Sequence, residues 1–184
     1  GSAAKSQDSV LVSEVIGIDP DPASQNILID KGETDGVFEK QTVIDSSGLV
    51  GQVIEVSKQY SRIMLITDLN SFVPVAVLRN NLRLMLQGMG MSEKLQLLHV
   101  NPTADIRVGD LLISSGLGER FPAGYPVGLI NAIDYVEGRP FVDVSATPKS
   151  GLARSQHLLL VFSENSVSVA ENGQAPLEVS RFAD

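Results

Sequence analysis

GDLLISSGLGERFPAGYPVG, residues 109–128, holds the pattern that decides the fold: an aliphatic strand, a Ser-Ser-Gly turn and a glycine-rich passage into a second strand. The stretch GVFEKQTVIDSSGLVGQVIEV, residues 36–56, repeats this order without the long passage. Serine and glycine favour turns, and alternating aliphatic residues favour strands, so both stretches are typical of β-hairpins. The match indicates either an internal duplication or a chance similarity between two hairpins.

Alternation with a period of two dominates the rest of the chain, and helical periodicity is almost absent. Clear examples are FVPVAV (72–77), LRLMLQG (82–88) and LLLVF (158–162). These and similar runs predict about a dozen short strands, separated by turn pairs such as Asp35-Gly36. That number exceeds one small barrel, so the sequence predicts an all-β chain folded as two barrels or as a sandwich.

Composition disfavours several classes of function. The chain has 184 residues and a formal charge of −8, without a cluster of lysine or arginine, which argues against nucleic acid and anionic lipid as partners. Absence of cysteine excludes thiolate nucleophiles and cysteine zinc sites. Only two histidines are present, so we expect no metal and no cofactor. A glycan-binding barrel would need exposed aromatic rings, but the chain has three tyrosines, six phenylalanines and no tryptophan.

Ser114 and Ser115 are the candidate nucleophiles of an alternative function, a degenerate serine hydrolase with His99 as the base. A catalytic triad needs a histidine within hydrogen-bond reach of the serine and an acid to orient it. His99 alternates in phase with Leu95 and Leu97, which predicts a position on the inner face of a strand. The serines also lack the G-x-S-x-G signature, so a turn is the favoured interpretation.

Three other features are interpreted as structural. GLGERFPAG (116–124) lacks the lysine of a phosphate-binding loop. DPDPASQNILID (19–30) has aspartates at both ends, but Ala23 and Ser24 stand where a calcium loop needs an oxygen ligand and a glycine. His157 precedes an aliphatic strand and is predicted to be solvated.

The glycines of the two hairpin regions are predicted to serve turns, through positive φ or close backbone approach. They are Gly48, Gly51, Gly109, Gly116, Gly118, Gly124 and Gly128.

Candidate partner contacts are the apolar residues of FVPVAV and the aromatic residues near the turns. Pro74 is typical of an edge strand, and a sheet edge accepts partners, so these contacts are Phe72, Val73, Val75 and Val77. The alternative places the valines in the core. Phe121 and Tyr125 either cap a barrel end or contact a partner, and Tyr60 is a further anchor candidate.

Five segments in order resemble the family of the bacterial rod shape-determining protein MreC, and the resemblance covers residues 10–163. Each segment is ordinary by itself, but their combination is specific. The segments are VIGIDPDPASQNILIDKGETDGV (15–37), VIDSSGLVGQVIEVSKQYSRIMLITD (43–68), VPVAVLRNNLRLMLQG (73–88), ADIRVGDLLISSGLGERFPAGYPVGLI (104–130) and VDVSATPKSGL (142–152).

The resemblance implies a pair of six-stranded β-barrels with a chymotrypsin-like architecture and no catalytic residues. It divides the chain into a first barrel, residues 9–61 and 131–163, and a central second barrel, residues 62–130. Residues 1–8 are expected to be a tag or linker, and residues 164–184 a polar C-terminal tail.

The resemblance also implies a non-enzymatic scaffold of the cell-elongation machinery. Such a scaffold binds and activates the elongation-specific class B penicillin-binding protein, works with MreD, RodA and MreB, and self-associates into dimers or filaments. The chain would then be the periplasmic domain of a single-pass inner-membrane protein, whose membrane anchor precedes this segment.

Overall fold

The computed structural model describes residues 9–21, 23–91 and 93–162, which form two closed, six-stranded antiparallel β-barrels. The strands are β1 Ser9–Ile18, β2 Asn26–Ile29, β3 Thr42–Ile44, β4 Leu49–Val56, β5 Ser61–Leu65, β6 Phe72–Val77, β7 Arg83–Gly88, β8 Leu95–Val100, β9 Leu111–Ser114, β10 Pro126–Asp134, β11 Val142–Pro148 and β12 His157–Phe162. The predicted all-β double barrel is confirmed.

The barrel boundaries differ from the sequence-based division. The first barrel contains β1 to β5 and β12, and the second contains β6 to β11. The division at residues 61 and 130 was wrong, because it split β5 and β10 and assigned β11 to the first barrel. β10 pairs with β11 from Gly128 to Asp134, so the chain returns to the first barrel only at β12. The predicted linker (1–8) and tail (164–184) lie outside the described residues.

The two barrels share one topology, related by a circular permutation. Around the first barrel the neighbours run β12-β1-β2-β5-β4-β3, and around the second they run β6-β7-β8-β11-β10-β9. β12 therefore takes the place of β6, β1 that of β7, β3 that of β9, and β4 that of β10. Both Ser-Ser-Gly hairpins fall on equivalent strand pairs, β3–β4 and β9–β10, which favours duplication over chance similarity.

The interior of both barrels is aliphatic, and one cluster of buried side chains extends through them. Ile27, Ile63 and Leu158 are fully buried in the first barrel, and Leu112 and Ile130 are at most 1% exposed in the second. Each contributes about 1.5–3 kcal/mol relative to an exposed side chain. This burial explains why the alternating pattern in the sequence translates into strands with one face toward the core.

The barrels meet where β4 lies against β10. At Gly48, just before β4, an added Cβ would lie 2.5 Å from the carbonyl oxygen of Pro126 and 3.2 Å from Cβ of Lys149. Only a residue without a side chain fits against this backbone. The turn of the first hairpin therefore sets how closely the two barrels approach.

Candidate partner-binding surfaces

The Ser-Ser-Gly turn of the second barrel uses its first serine as a backbone clamp. Ser114 is buried, and its Oγ donates to the carbonyl oxygen of Pro122 at 2.6 Å and accepts from the N–H of Tyr125 at 2.9 Å. Ser115 Oγ accepts from the N–H of Leu117 at 3.3 Å. The Ser114 hydroxyl holds together the two ends of the inserted loop, and it donates its hydrogen bond to a backbone carbonyl rather than to a catalytic base.

The equivalent position in the first barrel is Asp45. The N–H of Asp45 donates to the carbonyl of Gly48, and the N–H of Ser114 donates to that of Tyr125. Asp45 Oδ1 accepts the N–H of Gly48, as Ser114 Oγ accepts that of Tyr125. The hydrogen bonds thus make Asp45 equivalent to Ser114, whereas the Ser-Ser-Gly match in the sequence aligns Ser46 with Ser114.

Asp45 also binds a distant segment. Its Oδ2 accepts the N–H of Gly151 at 2.7 Å and the hydroxyl of Ser155, while Oδ1 accepts the N–H groups of Ser47 and Gly48 at 2.8 and 3.0 Å. We name this group the Asp45 clamp. It joins the β3–β4 turn to the connection through which the chain passes from the second barrel back to the first.

The predicted inner-face position of His99 was wrong. The pairing of β8 with β11 shifts between Leu97 and Val100, so that Leu98 and His99 occupy a bulge, and His99 has φ of 53°. The extra residue reverses the alternation: Val100 points inward and His99 is exposed. Its ring contacts Phe141, with centroids 5.2 Å apart. His99 lies on β8, which does not pair with β9, the strand of Ser114.

His157 is exposed, as predicted, with Nε2 3.6 Å from the carboxylate of Glu14 in the first barrel.

The aspartates of the rejected calcium loop bind protein groups within the first barrel. Asp19 pairs with Arg62 at 3.3 Å, Asp21 accepts a backbone N–H of its own turn, and Asp30 accepts the N–H of Glu14.

The glycines serve the turns in two ways. Gly109, Gly116, Gly118 and Gly124 have positive φ, the region that disfavours other residues. Gly51 and Gly128 lie at equivalent points of β4 and β10, where an added Cβ would lie 2.1 and 2.9 Å from a carbonyl oxygen of the neighbouring strand.

The edge-strand interpretation of β6 was wrong. β6 pairs with β7 on one side and β9 on the other, because the barrel is closed. Pro74 is accommodated because the β6–β9 pairing begins at Val75, and Pro74 contributes only its carbonyl, which accepts the N–H of Ser115. Val73, Val75 and Val77 are at most 1% exposed, which confirms the core alternative.

Phe121 and Tyr125 are also buried, so their side chains pack inside the protein rather than offer a surface. Of the predicted contacts in β6, Phe72 alone is exposed. Tyr60 is exposed in the β4–β5 turn of the first barrel.

Phe72 belongs to an exposed apolar rim at one end of the second barrel. Leu69 precedes β6, Met91 lies in the β7–β8 turn, and both are exposed. Backbone hydrogen bonds from Gly88 to Ser71 and from Gly90 to Thr67 join the two connections. An added Cβ at Gly90 would lie 2.9 Å from Cγ of Leu69, which shows how closely these connections pack. We name Leu69, Phe72 and Met91 the Phe72 rim.

A second apolar surface, the aromatic groove, lies where the β10–β11 turn meets the connection after β8. Tyr135 and Phe141 are exposed there and line a groove of about 340 Å³ with Pro102 and Arg139. Sequence reasoning missed this groove. Both rings flank the β10–β11 turn, and their exposure follows from the strand ends and the His99 bulge, which alternation does not reveal.

An ion-pair cluster fixes the β6–β7 turn. Arg79 binds Asp105 at 3.1 Å and Asp110 at 3.0 Å. Hydrogen bonds from the Arg79 guanidinium hold the pKa of both carboxyls below the usual range. The cluster ties this turn to the connection before β9.

Among the described residues, no helix is long and apolar enough to cross a bilayer.

Comparison with known proteins gives one consistent result. A family model described as rod shape-determining protein MreC, barrel core, matches residues 15–162. The cell shape-determining protein MreC of Escherichia coli is 41% identical over 184 residues, which cover the whole chain and 50% of the relative. That of Haemophilus influenzae is 39% identical over 154 residues, 84% of the chain and 44% of the relative. The chain thus spans about half the length of these relatives.

Solved structures agree in fold. The crystal structure of MreC from Pseudomonas aeruginosa superposes with a TM-score of 0.82 and 53% identity, covering 84% of this chain and 99% of the other. A complex between a penicillin-binding protein (PBP2) and MreC from Helicobacter pylori matches with a TM-score of 0.63 and 17% identity, covering 85% of this chain and 99% of the other.

Proposed function

The chain belongs to the MreC family of rod shape-determining proteins, and from that membership we propose that it is a non-enzymatic scaffold of bacterial cell elongation. The observation that carries the proposal is the family match over residues 15–162, which includes the whole second barrel and most of the first. Relatives that share the match are named for determining cell shape.

The main partner in this proposal is the elongation-specific class B penicillin-binding protein. Support comes from the Helicobacter pylori complex, in which a protein of the same fold binds a penicillin-binding protein. The Phe72 rim is the proposed contact, because Phe72 is the residue of β6 that stays exposed beside two other exposed apolar side chains. Aromatic and methionine side chains are enriched at the centres of protein interfaces.

Activation follows from differential affinity. A scaffold that binds the active conformation of the transpeptidase more tightly than the inactive one shifts the population toward activity. The ratio of active to inactive enzyme can rise by no more than the ratio of the two affinities. A difference of about 2.7 kcal/mol in binding free energy therefore allows at most a hundredfold rise.

The serine-hydrolase alternative is not favoured. The Ser114 hydroxyl is buried and donates to a backbone carbonyl, and the exposed His99 lies on a strand that does not pair with β9. A nucleophilic serine requires a base at hydrogen-bond distance.

The same proposal places the domain in the periplasm, joined to the inner membrane through a part of the longer natural protein. MreD, RodA and MreB are the further partners, and self-association into dimers or filaments is part of the function. Absence of a basic cluster on a chain of charge −8 supports contacts with proteins rather than with nucleic acid or anionic lipid headgroups.

Calorimetric titration tests the proposal directly. The domain is titrated into the soluble periplasmic part of the class B transpeptidase, and saturable binding is the expected result. Leu69→Glu with Phe72→Ala should weaken binding at least tenfold, because the charge disrupts an apolar contact. Val108→Glu, which places the same charge on an exposed aliphatic residue in the connection before β9, is the matched control. Wild-type protein without saturable binding contradicts the scaffold, whereas an unaffected double variant contradicts only the rim.

A further inference from the structure

The aromatic groove is open in the second barrel at a position where the first barrel is closed. β2 corresponds to β8 and β5 to β11, so the β4–β5 turn corresponds to the β10–β11 turn. In the first barrel the β2–β3 connection packs directly on that turn. The N–H of Glu33 donates to the carbonyl of Ser57 at 2.8 Å, and that of Thr34 to Lys58 at 3.1 Å. An added Cβ at Gly32 would lie 2.2 Å from the carbonyl oxygen of Ser57. The chain therefore fills this position with a segment of its own.

The equivalent connection of the second barrel, between β8 and β9, turns back on itself instead. Pro102 has no N–H to donate. The N–H of Thr103 donates to Asn101 Oδ1 and that of Ala104 to the carbonyl of Asn101, each at 2.9 Å. Among the described residues, no backbone hydrogen bond joins this connection to the β10–β11 turn. The space that the first barrel fills thus remains as a groove of about 340 Å³.

A difference between β2 and β8 brings a further ring to this groove. β2 pairs with β5 without a register shift, whereas β8 carries the bulge that sets His99 at φ of 53°. That conformation costs energy in a residue other than glycine. It places the His99 ring against Phe141, beside the exposed Tyr135. The second barrel therefore keeps a strained strand that extends an aromatic surface, and the first barrel does not.

The carboxylates beside the groove outnumber its cations. Asp134 lies directly opposite Asp143 on the paired strands β10 and β11, an arrangement in which like charges destabilise a sheet. Arg139 lines the groove and pairs with Asp143 at 3.0 Å. In the part of the chain that the structure describes, no cation pairs with Asp134 or Glu137. The groove thus combines aromatic rings with net negative charge, and both attract a cation.

We propose that the aromatic groove binds a lysine- or arginine-bearing segment of a partner protein. The first barrel shows the backbone that this position accepts, which is a short segment with two successive N–H groups that donate to carbonyls of the turn. Tyr135 and Phe141 pack against the stem of the basic side chain, and Asp134 and Glu137 attract its charge. The same carboxylates repel nucleic acid and anionic lipid.

The inference goes beyond the proposed function, because the groove is separate from the proposed transpeptidase contact. The groove lies where β8 and β10 end and β11 begins, whereas the Phe72 rim lies where β6 begins and β7 ends. These are opposite ends of the second barrel, since its neighbouring strands are antiparallel. A partner in the groove therefore leaves the rim free.

Two-dimensional NMR of the ¹⁵N-labelled domain tests the groove, with the hexapeptide IKKGKT as the probe. This peptide is the segment that closes the first barrel, IDKGET (29–34), with lysine at its two acidic positions. The amide signals of residues 135–143 should shift, with a dissociation constant of about 0.1–1 mM, because a short flexible peptide loses conformational entropy on binding. The unchanged peptide IDKGET should bind at least fivefold more weakly, because its carboxylates meet those of the groove.

A first pair of variants tests the aromatic contact. Tyr135→Ala should weaken binding of IKKGKT roughly three- to fivefold, because the lysine stem and charge lose a ring. Tyr60→Ala is the matched control, since it removes an exposed ring from the β4–β5 turn of the first barrel. It should leave the affinity unchanged.

A second pair tests the charge. Asp134→Asn with Glu137→Gln should weaken binding of IKKGKT at least fivefold and make it less sensitive to salt. Glu14→Gln with Glu39→Gln removes the same charge from exposed positions of the first barrel and should have little effect. All four substituted side chains are exposed, so the variants should fold, and their own NMR spectra show whether they do.

Unshifted groove signals with about 5 mM IKKGKT overturn the inference. Equal affinity for the two peptides also overturns it, because the site then does not recognise positive charge. Equal weakening by the two charge variants does so as well, since overall charge then explains the attraction. Chitotriose that shifts the groove signals where IKKGKT does not would assign the groove to a glycan and likewise overturn the inference.

Discussion

Replacement of Asp45 by alanine should be among the most destabilising changes to a polar side chain in this domain. The carboxylate is buried and accepts four hydrogen bonds, three of them from backbone N–H groups at 2.7–3.0 Å. Alanine leaves the N–H groups of Gly48 and Gly151 without their acceptor. One of these lies in the β3–β4 turn and the other in the β11–β12 connection, so the substitution releases both ends of the clamp.

The magnitude follows from the number and kind of these bonds. Hydrogen bonds to a charged group contribute about 1.5–3 kcal/mol each, but they are not additive, and desolvation of the buried carboxylate offsets part of the gain. We expect Asp45→Ala to lower the free energy of unfolding by about 3–4 kcal/mol. Asp45→Asn keeps one acceptor oxygen, but its NH2 group then faces hydrogen-bond donors. We expect it to lower the free energy of unfolding by about 2 kcal/mol. Ser155→Ala removes one of these bonds and should cost about 1.5 kcal/mol.

Equilibrium unfolding in urea, followed by far-ultraviolet circular dichroism, measures the three losses. The expected order is Asp45→Ala, then Asp45→Asn, then Ser155→Ala, with similar dependence on denaturant. If Asp45→Ala costs less than about 1 kcal/mol, or no more than Ser155→Ala, the clamp does not hold the connection and the reasoning is refuted.

Three further predictions concern other parts of the chain. Arg79→Met should destabilise the protein at pH 7, and the difference in unfolding free energy from wild type should shrink as pH falls below about 4. Asp105 and Asp110 have lowered pKa values in the folded state, so their ion pairs stabilise the protein above the ordinary carboxyl pKa and are lost as the carboxylates protonate. A difference that stays constant across an unfolding series in pH would contradict this. Gly48→Ala should lower the free energy of unfolding by about 1–3 kcal/mol, because its Cβ would overlap the backbone of β10. An unchanged midpoint of urea unfolding would show that the barrels separate freely. A fluorophosphonate probe should leave Ser114 unlabelled, whereas stoichiometric labelling abolished by Ser114→Ala would restore the hydrolase.

Much of the fold could be predicted because it depends on local pattern. One of the two alternatives for the valines of β6 placed them in the core, as the structure does. The repeated Ser-Ser-Gly motif indicated the two equivalent hairpins. His99 was misplaced because a single bulge residue reverses the alternation, and a bulge leaves no period of its own in the sequence.

Features that depend on distant pairing could not be predicted. Asp45 binds Gly151 and Ser155 across 106 and 110 positions of the chain. β11 was assigned to the wrong barrel because its sequence is equally suited to either one, and only its pairing with β8 and β10 decides. Phe72 differs from Val73 in exposure because the strand begins there, which residue type does not reveal.

The most direct test of the scaffold function is the rate at which the class B transpeptidase is acylated by a fluorescent penicillin, with and without this domain. The proposed population shift predicts faster acylation that saturates at the same domain concentration as calorimetric binding, and no acceleration by the Leu69→Glu and Phe72→Ala variant. An unchanged acylation rate at saturating domain would contradict the account, because binding would then favour neither conformation of the enzyme.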